Sequence, residues 1–279
     1  GWTQQKEVEL TVKKTMIKNH LYLLKGKGGN VVASIGDDGI LIIDDDYNEY
    51  ATAYHKALES ISGTAGLPRF VVNTHWHSDH VGTNGYWGER GAVILAHDNV
   101  YARMSTRQEM KMFDRVVEPS PKPALPVVTY SDAMTLHFNG EKVDVQHFPR
   151  GHTDGDSVIF FGAENVVHMG DHYFKDKFPF VDLGSGGNVI SFTNNVAAVL
   201  AKIDDNTVIV PGHGELATRA ELVQYHQMLQ TTTEQVKAKL AQGKSVEQIS
   251  EQGLGDEWES WGQGFINEPA WISFIAGSI

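Results

Sequence analysis

Thr74-His75-Trp76-His77-Ser78-Asp79-His80 follows directly on the apolar run Phe70-Val71-Val72. The run reads as a buried strand. The heptapeptide places four side chains able to hold a metal, His75, His77, Asp79 and His80, within six residues. A strand ending in imidazoles and a carboxylate delivers them at a sheet edge, where open α/β layers place their sites. In extended backbone His75 and His77 point the same way, Asp79 shares their parity, and His80 follows in a turn. One short loop therefore offers donors for two ions.

The chain around this loop can support such a site. Its 279 residues are 41% hydrophobic, enough to bury a sizeable core. A net charge of −12 opposes binding to a phosphate backbone, and no run of Lys and Arg offsets it, so nucleic acid is not an expected partner. No apolar stretch is long enough to span a membrane, about 18 residues being the minimum. Cysteine is absent, which removes disulfides, thiolate nucleophiles and Cys-held zinc. The first residue is Gly rather than Met, which fits a processed, periplasmic or secreted protein or a tag remnant, with the cytoplasm as the alternative. A small-molecule substrate and a monomer or homodimer are expected.

Upstream, strands are predicted at Val8–Val12, Leu21–Leu24, Val31–Ile35 and Ile40–Ile43, the last two joined by a tight turn at Asp37-Asp38-Gly39. Lys25-Gly26-Lys27-Gly28-Gly29 lacks the Gly-Lys-Ser/Thr ending of a phosphate loop and reads as a hairpin. Asp44-Asp45-Asp46 reads as a solvated strand end that caps a helix over Tyr47–Ile61, stopping at Gly63; a supporting role near the histidines is the alternative. Val93–Ala96 is a further strand, and Asp98 is expected to cap a helix running to about Phe113. Strand and helix alternate here, which says α/β. Four of the nine prolines fall in 118–126, an irregular segment. Short strands follow at Val127–Tyr130, Met134–Phe138, Lys142–Phe148, Ser157–Phe161 and Val166–Met169, with Asn139-Gly140 as a hairpin turn. A helix is predicted over Val189–Ile203 and a strand over Val208–Val210. Capping boxes at Thr218-x-x-Glu221 and Ser245-x-x-Gln248 open two further helices. The crowded aromatics Trp258, Trp261, Phe265, Trp271 and Phe274 are expected to pack back on the body. The division drawn is a domain at 1–217 and a helical C-terminal extension at 218–279.

Three more donor candidates follow strand ends beside glycines: His152 in Gly151-His152-Thr153, Asp171 in Gly170-Asp171, and His213 in Pro211-Gly212-His213-Gly214. Taken singly, each histidine reads better as structural. Taken in order, His-x-His-x-Asp-His, Gly-His-Thr, Gly-Asp and Pro-Gly-His-Gly resemble the metallo-β-lactamase superfamily, over roughly Val8 to Glu215. The resemblance implies an αββα sandwich with two metals at one edge. His75, His77 and His152 would hold the first metal, Asp79, His80 and His213 the second, and Asp171 would bridge. Zinc suits these ligands, with iron or manganese allowed. The activity implied is hydrolysis of a cyclic amide or ester, β-lactamase-like or lactonase-like, by a hydroxide shared between the metals and oriented by Asp79. A glyoxalase-type thioester hydrolase and an iron-dependent oxidoreductase are the alternatives. The gaps from His152 to Asp171 and from Asp171 to His213 resemble those of the commonest zinc β-lactamases. That subclass has Cys at the Asp171 position and does not use the His80 position, so the full set resembles glyoxalase-type thioesterases and lactonases. Lys175 is a candidate for a substrate carboxylate, as a lysine serves in the lactamases, against a solvated role beside Asp176 and Lys177. Asn188, beside a glycine-rich loop, is a candidate for the same mouth. His168 and His172 are expected to support the site at most, and His97 and His147 to be structural.

Overall fold

Apolar residues alternate between two covered faces in the central strands, and two stacked sheets result. In the computed structural model, which describes residues 9–279, the first sheet runs β1 (Lys13–Lys18), β2 (Leu21–Lys25), β3 (Val31–Gly36), β4 (Gly39–Ile43), β5 (Phe70–Val72) and β6 (Val93–His97). Beyond a separate hairpin of β7 (Gln108–Met110) and β8 (Arg115–Val117), the sheet is completed by β9 (Val128–Tyr130). Strands β1 to β4 are antiparallel hairpins, whereas β4, β5, β6 and β9 run parallel. The second sheet is β10 (Ala133–Phe138), β11 (Glu141–His147), β12 (Ser157–Phe161), β13 (Val166–His168) and β14 (Val208–Val210), with only the last pair parallel.

Leu23, Leu41 and Ile43 point between the sheets and meet Val143, Val145, Ile159 and Phe161 from the second. Their neighbours Leu24, Ile40 and Ile42 point outward, under Tyr54 and Leu58 of α1 (Ala51–Ser62) and near Trp87. Strands covered on both faces read as unbroken apolar runs, which is why these were visible in the sequence. The short helices α2 (Ser78–Val81), α3 (Asn84–Glu89) and α4 (Asp98–Met104) follow β5 and β6. The outer face of the second sheet, Val158, Val167 and Ile209, is covered by α5 (Val189–Lys202), α6 (Arg219–Ala241), α7 (Val246–Gln252) and α8 (Glu268–Ala276). The architecture is the expected αββα sandwich with a helical C-terminal region.

Several local expectations need correction. Of the strand expected at Val8–Val12, Val8 lies outside the described residues, and residues 9–12 are not strand. The first strand is β1, an edge strand with only Ile17 half-buried, so burial imposed no pattern on it. Helix α1 begins at Ala51, after a short 3-10 turn, without an aspartate cap. Helix α4 is capped by His97 rather than Asp98 and ends at Met104; the residues after it form the β7–β8 hairpin, turned at Asp114 with φ 48°. Both capping boxes form as read. Trp271 and Phe274 are buried, but Phe265 is 72% exposed. Among the described residues no helix is long and apolar enough to cross a membrane.

Candidate metal centre

Strand β5 ends at Val72, and the loop that follows crosses the rim of the first sheet before α2. His75 and His77 leave this loop together, and Asp79 and His80 lie in the first turn of α2. From the second sheet come His152, after β11, Asp171, after β13, and His213, after β14. The parallel pairing of β13 with β14 brings the last two to one edge. All seven expected residues meet there, in two groups. His75, His77, His152 and Asp171 each offer an atom within 4.8 Å of the others, and so do Asp79, His80, Asp171 and His213. Asp171 belongs to both.

The ring orientations are set from outside. His80 Nδ1 lies 2.7 Å from Asp44 Oδ2, His77 Nε2 2.8 Å from Asp182 Oδ2, His152 Nδ1 2.6 Å from the Phe180 carbonyl, and His75 Nδ1 3.0 Å from Thr74 Oγ1. The opposite nitrogens face inward. His80 Nε2 is 3.1 Å from Asp171 Oδ1, and His152 Nε2 and His213 Nε2 are 3.3 and 3.2 Å from Asp171 Oδ2. Tying one nitrogen to an oxygen leaves the other free as a donor, the usual arrangement behind a metal-binding imidazole. His75 Nε2, His80 Nε2 and Asp171 Oδ1 are buried without a hydrogen-bond partner. Such atoms are costly unless something else satisfies them. Inward donors, a carboxylate common to both groups and no thiol fit a pair of borderline divalent ions.

The electrostatics show how tightly charge is packed. Burial, reinforced by the charge of His80, holds His75 well below the usual imidazole range. Burial likewise brings His152 down to about 4. Burial opposes the charged forms of His80 and Asp79, yet it is outweighed in both: Asp171 and Asp79 raise His80 well above its usual range, and His80, against the repulsion of Asp171, lowers Asp79 to about 2. Asp171 is also held low, burial being outweighed by His213 and His80.

Asp44, Asp45 and Asp46 are fully buried, which corrects their reading as a solvated strand end. Asp44 accepts from Thr74 as well as pairing with His80. Asp45 accepts from the Thr83 amide. Asp46 accepts from the amides of Lys27 and Gly28 and from the Tyr54 hydroxyl, and so pins the glycine-rich hairpin against the site. In that hairpin a Cβ on Gly29 would collide with the His80 ring, so glycine is needed there for space.

Two substrate candidates are not placed by the structure where the sequence suggested. Lys175 Nζ pairs with Glu221 at 2.9 Å and does not line the cavity over the donors. Asn188 caps α5, accepting from the amides of Ile190 and Ser191. His168 is bound at both nitrogens to backbone, donating to the Asn30 carbonyl and accepting from the Gly170 amide. His172 is buried, lies 3.1 Å from Asn195 Nδ2 and is pushed by burial down to about 3. His97 and His147 stack with ring centroids 3.6 Å apart, as structural residues. The cavity above the donors has a volume of about 480 Å³. Its walls include Trp76, Phe113, Phe180 and Phe265, with Lys27, Arg115 and Lys177 among them. The aromatic wall residues carry no substrate-contact signal in the sequence, nor does Asp182 as a partner of His77. A residue that converges only through tertiary packing leaves no spacing signal.

A donor array at one edge of an αββα sandwich, shared across one carboxylate, defines a metallo-hydrolase-like class. The family model described as the metallo-beta-lactamase superfamily matches residues 33–213, and the chain belongs to that superfamily. Among curated relatives, it is 21% identical over 216 residues to a metallo-beta-lactamase type 2 of Bacteroides fragilis, covering 75% of this chain and 80% of that protein. It is 22% identical over 158 residues to a hydroxyacylglutathione hydrolase of Haemophilus influenzae, covering 54% and 70%. An uncharacterized protein of Mycobacterium tuberculosis is 32% identical over 169 residues, covering 54% and 71%. Among solved structures, the metallo-beta-lactamase DIM-1 superposes with a TM-score of 0.64 at 16% identity, covering 80% of this chain and 100% of that one.

Proposed function

We propose that this chain is a metal-dependent hydrolase that opens a cyclic amide or ester, with zinc as the expected metal. The observation that carries this reading is the convergence of two donor groups on Asp171 at the floor of a largely apolar cavity. His75, His77 and His152 would hold one ion, Asp79, His80 and His213 the other, and Asp171 would lie between them. Bound there, two such ions supply Lewis acidity toward a carbonyl oxygen and a water acidified to near neutrality. The chain's own residues do the rest. Asp44 and Asp182 hold the rings of His80 and His77 in register. Asp79, half-buried on the cavity wall, orients the attacking water. Trp76, Phe174 and Phe180 line the cavity and exclude bulk solvent from the reacting carbonyl. No side-chain nucleophile is required.

The donor set also supports a second reading, glyoxalase-type thioester hydrolysis. It uses both His80 and an aspartate at position 171, and one relative bears the name hydroxyacylglutathione hydrolase. The two readings separate in one experiment. Metal content is measured on purified protein, and a chromogenic cephalosporin, a homoserine lactone and a glutathione thioester are offered side by side. We expect two zinc ions per chain and turnover of the cephalosporin or the lactone, abolished by chelation and restored by zinc. Turnover of the thioester alone would establish the second reading. Tightly held iron with oxygen consumption would replace both with an oxidoreductase, and no turnover of any substrate would sink the hydrolase reading.

A further inference from the structure

The cavity has a charge pattern that its donor set does not explain. Its acidic lining residues are Asp79 and Asp171, both already in the donor array. Its cationic lining residues are Lys27, Arg115 and Lys177, and among the described residues none of the three has a carboxylate within ion-pair distance. Each is held instead by a neutral group. Arg115 Nη2 donates to Ser78 Oγ at 3.0 Å, Lys27 Nζ sits 5.5 Å from the centre of the Tyr47 ring, and Lys177 Nζ donates to the Ser260 carbonyl at 3.3 Å. Arg115 also acts on Tyr47: burial and Asp79 push that phenol up, and the guanidinium pulls against them. Arg115 and Lys27 thus flank one tyrosine on the Asp79 side of the mouth. In a chain of net charge −12, unneutralised cations at the rim of a cavity mark where an anion is welcome.

The opposite feature is apolar. Phe113, in the β7–β8 turn, stacks on Phe265 with centroids 5.4 Å apart and meets Phe180 edge-on at 5.3 Å. Phe265 is 72% exposed and Phe113 37% exposed, so two large rings stand partly uncovered at the mouth. Exposed aromatic area at a cavity rim is a place for an apolar group to dock. Phe265 lies outside residues 33–213, so the chain's C-terminal region supplies that half of the wall.

We propose that the cavity selects amphipathic anions: acyl compounds whose broad apolar body packs on Phe113 and Phe265, and whose single anionic group, set apart from the bond to be cleaved, lies between Arg115 and Lys27. Lys177 adds to the field without contacting the group. The inference rests on the hydrolase reading for the reaction, and on the cavity walls alone for the binding. It is therefore tested by binding, without turnover. Naphthalene-2-sulfonate and its neutral N,N-dimethylsulfonamide are titrated calorimetrically into the whole metal-loaded protein, with R115Q, K27Q, K177Q and F265A alongside and thermal melts to confirm folding. The sulfonate should bind at least tenfold more tightly than the neutral compound. R115Q and K27Q should each remove about fivefold of that preference, K177Q about twofold, and high salt should erode it. F265A should weaken both ligands alike. Absence of binding, or equal affinity for the two compounds, would overturn the proposal. An anion preference that survives R115Q and K27Q would also overturn it, by assigning the attraction to the metal centre. Unchanged affinity in F265A would overturn the aromatic half. Failure of every hydrolysis assay would leave these binding results standing, so the two readings fail separately.

Discussion

Asp44 serves three donors with two oxygens, and its carboxylate form decides how His80 is held. Oδ1 accepts from the Thr74 amide, while Oδ2 accepts from the Thr74 hydroxyl and from His80 Nδ1, each at 2.7 Å. An amide at this position must turn its NH₂ toward one of those donors, whichever way it is flipped. If it faces His80, the ring proton is displaced to Nε2, the atom aimed at Asp171. Asp44→Asn should therefore lower affinity for the ion of the Asp79, His80 and His213 group by roughly 10- to 100-fold. Metal analysis after dialysis against a chelator buffer should show stoichiometry falling from two toward one. Asp79→Ala should act in the same direction. Equal loss of both ions in either variant would contradict the split between the groups. A second residue-scale prediction concerns acid. His97 uses both nitrogens in its neutral form: Nε2 donates to the Ser131 carbonyl, and Nδ1 accepts from the Asn99 amide as the cap of α4. Burial lowers its pKa in the fold. The unfolded chain therefore binds a proton that the native chain refuses, so this stability is present above about pH 6.5 and is lost as pH falls below it. His97→Asn supplies a cap that does not titrate. Its melting temperature should fall less than that of the parent between pH 7 and pH 5.5, the lost cap corresponding to about 1 kcal/mol. Parallel curves for the two proteins would remove His97 from the acid response.

The β2–β3 hairpin is the element that most directly limits the donor loop. Its glycine-rich turn is bound from below by Asp46, and the Gly29 amide donates to the Asp79 carbonyl at 3.0 Å. A Cβ at Gly29 would occupy the space of the His80 ring. Gly29→Ala should therefore tilt that ring and cost the second ion, in metal content and in turnover, while the far-ultraviolet circular dichroism stays native. Full retention of two ions would show that the turn has slack to move. The sequence reveals elements of this kind unevenly, and the reason is burial. Strands β2 to β6 and β11 to β14 have at least one face in a core, so their apolar runs were readable. Strand β1 and the β7–β8 hairpin are largely exposed, so nothing forced a pattern onto them. The seven donors were legible because each stands beside a strand end in a fixed local motif. Asp44 was misjudged because three adjacent aspartates look solvated until the chain folds over them. The place of Lys175 is not legible in the sequence because only the position of α6, through Glu221, shows where its ammonium goes.

At the scale of the whole molecule, the C-terminal helices belong to the same core as the second sheet. Leu222, Tyr225 and Leu229 of α6, and Trp271, Ile272 and Ile275 of α8, are fully buried. They share one cluster with Val158, Val167 and Ile209 of the sheet, Phe192 and Val196 of α5, and Phe178 and Val181 of the loop after Asp171. Phe178 stacks on Trp271 with centroids 5.7 Å apart, and its amide donates to the Trp261 carbonyl. The same loop carries Phe180, whose carbonyl accepts from His152 and whose ring lines the cavity. Order in the C-terminal helices is thereby linked to the donors through two neighbouring residues of one loop. A chain ended after residue 217 would bare the outer face of α5 and the loop at Phe178, so it should fail to give a cooperative fold. The intact chain should unfold in one transition, with or without metal. Trp271→Ala tests the linkage with less disturbance. Removing a fully buried indole costs about 3–5 kcal/mol, which for a protein of this size lowers the melting temperature by roughly 10 °C. If the core is shared, that variant should still melt in a single step, and added zinc should raise the melting temperatures of variant and parent alike. Two separated transitions, or a soluble and cooperatively folded 1–217 fragment, would show instead that the C-terminal helices fold apart from the sandwich that carries the site.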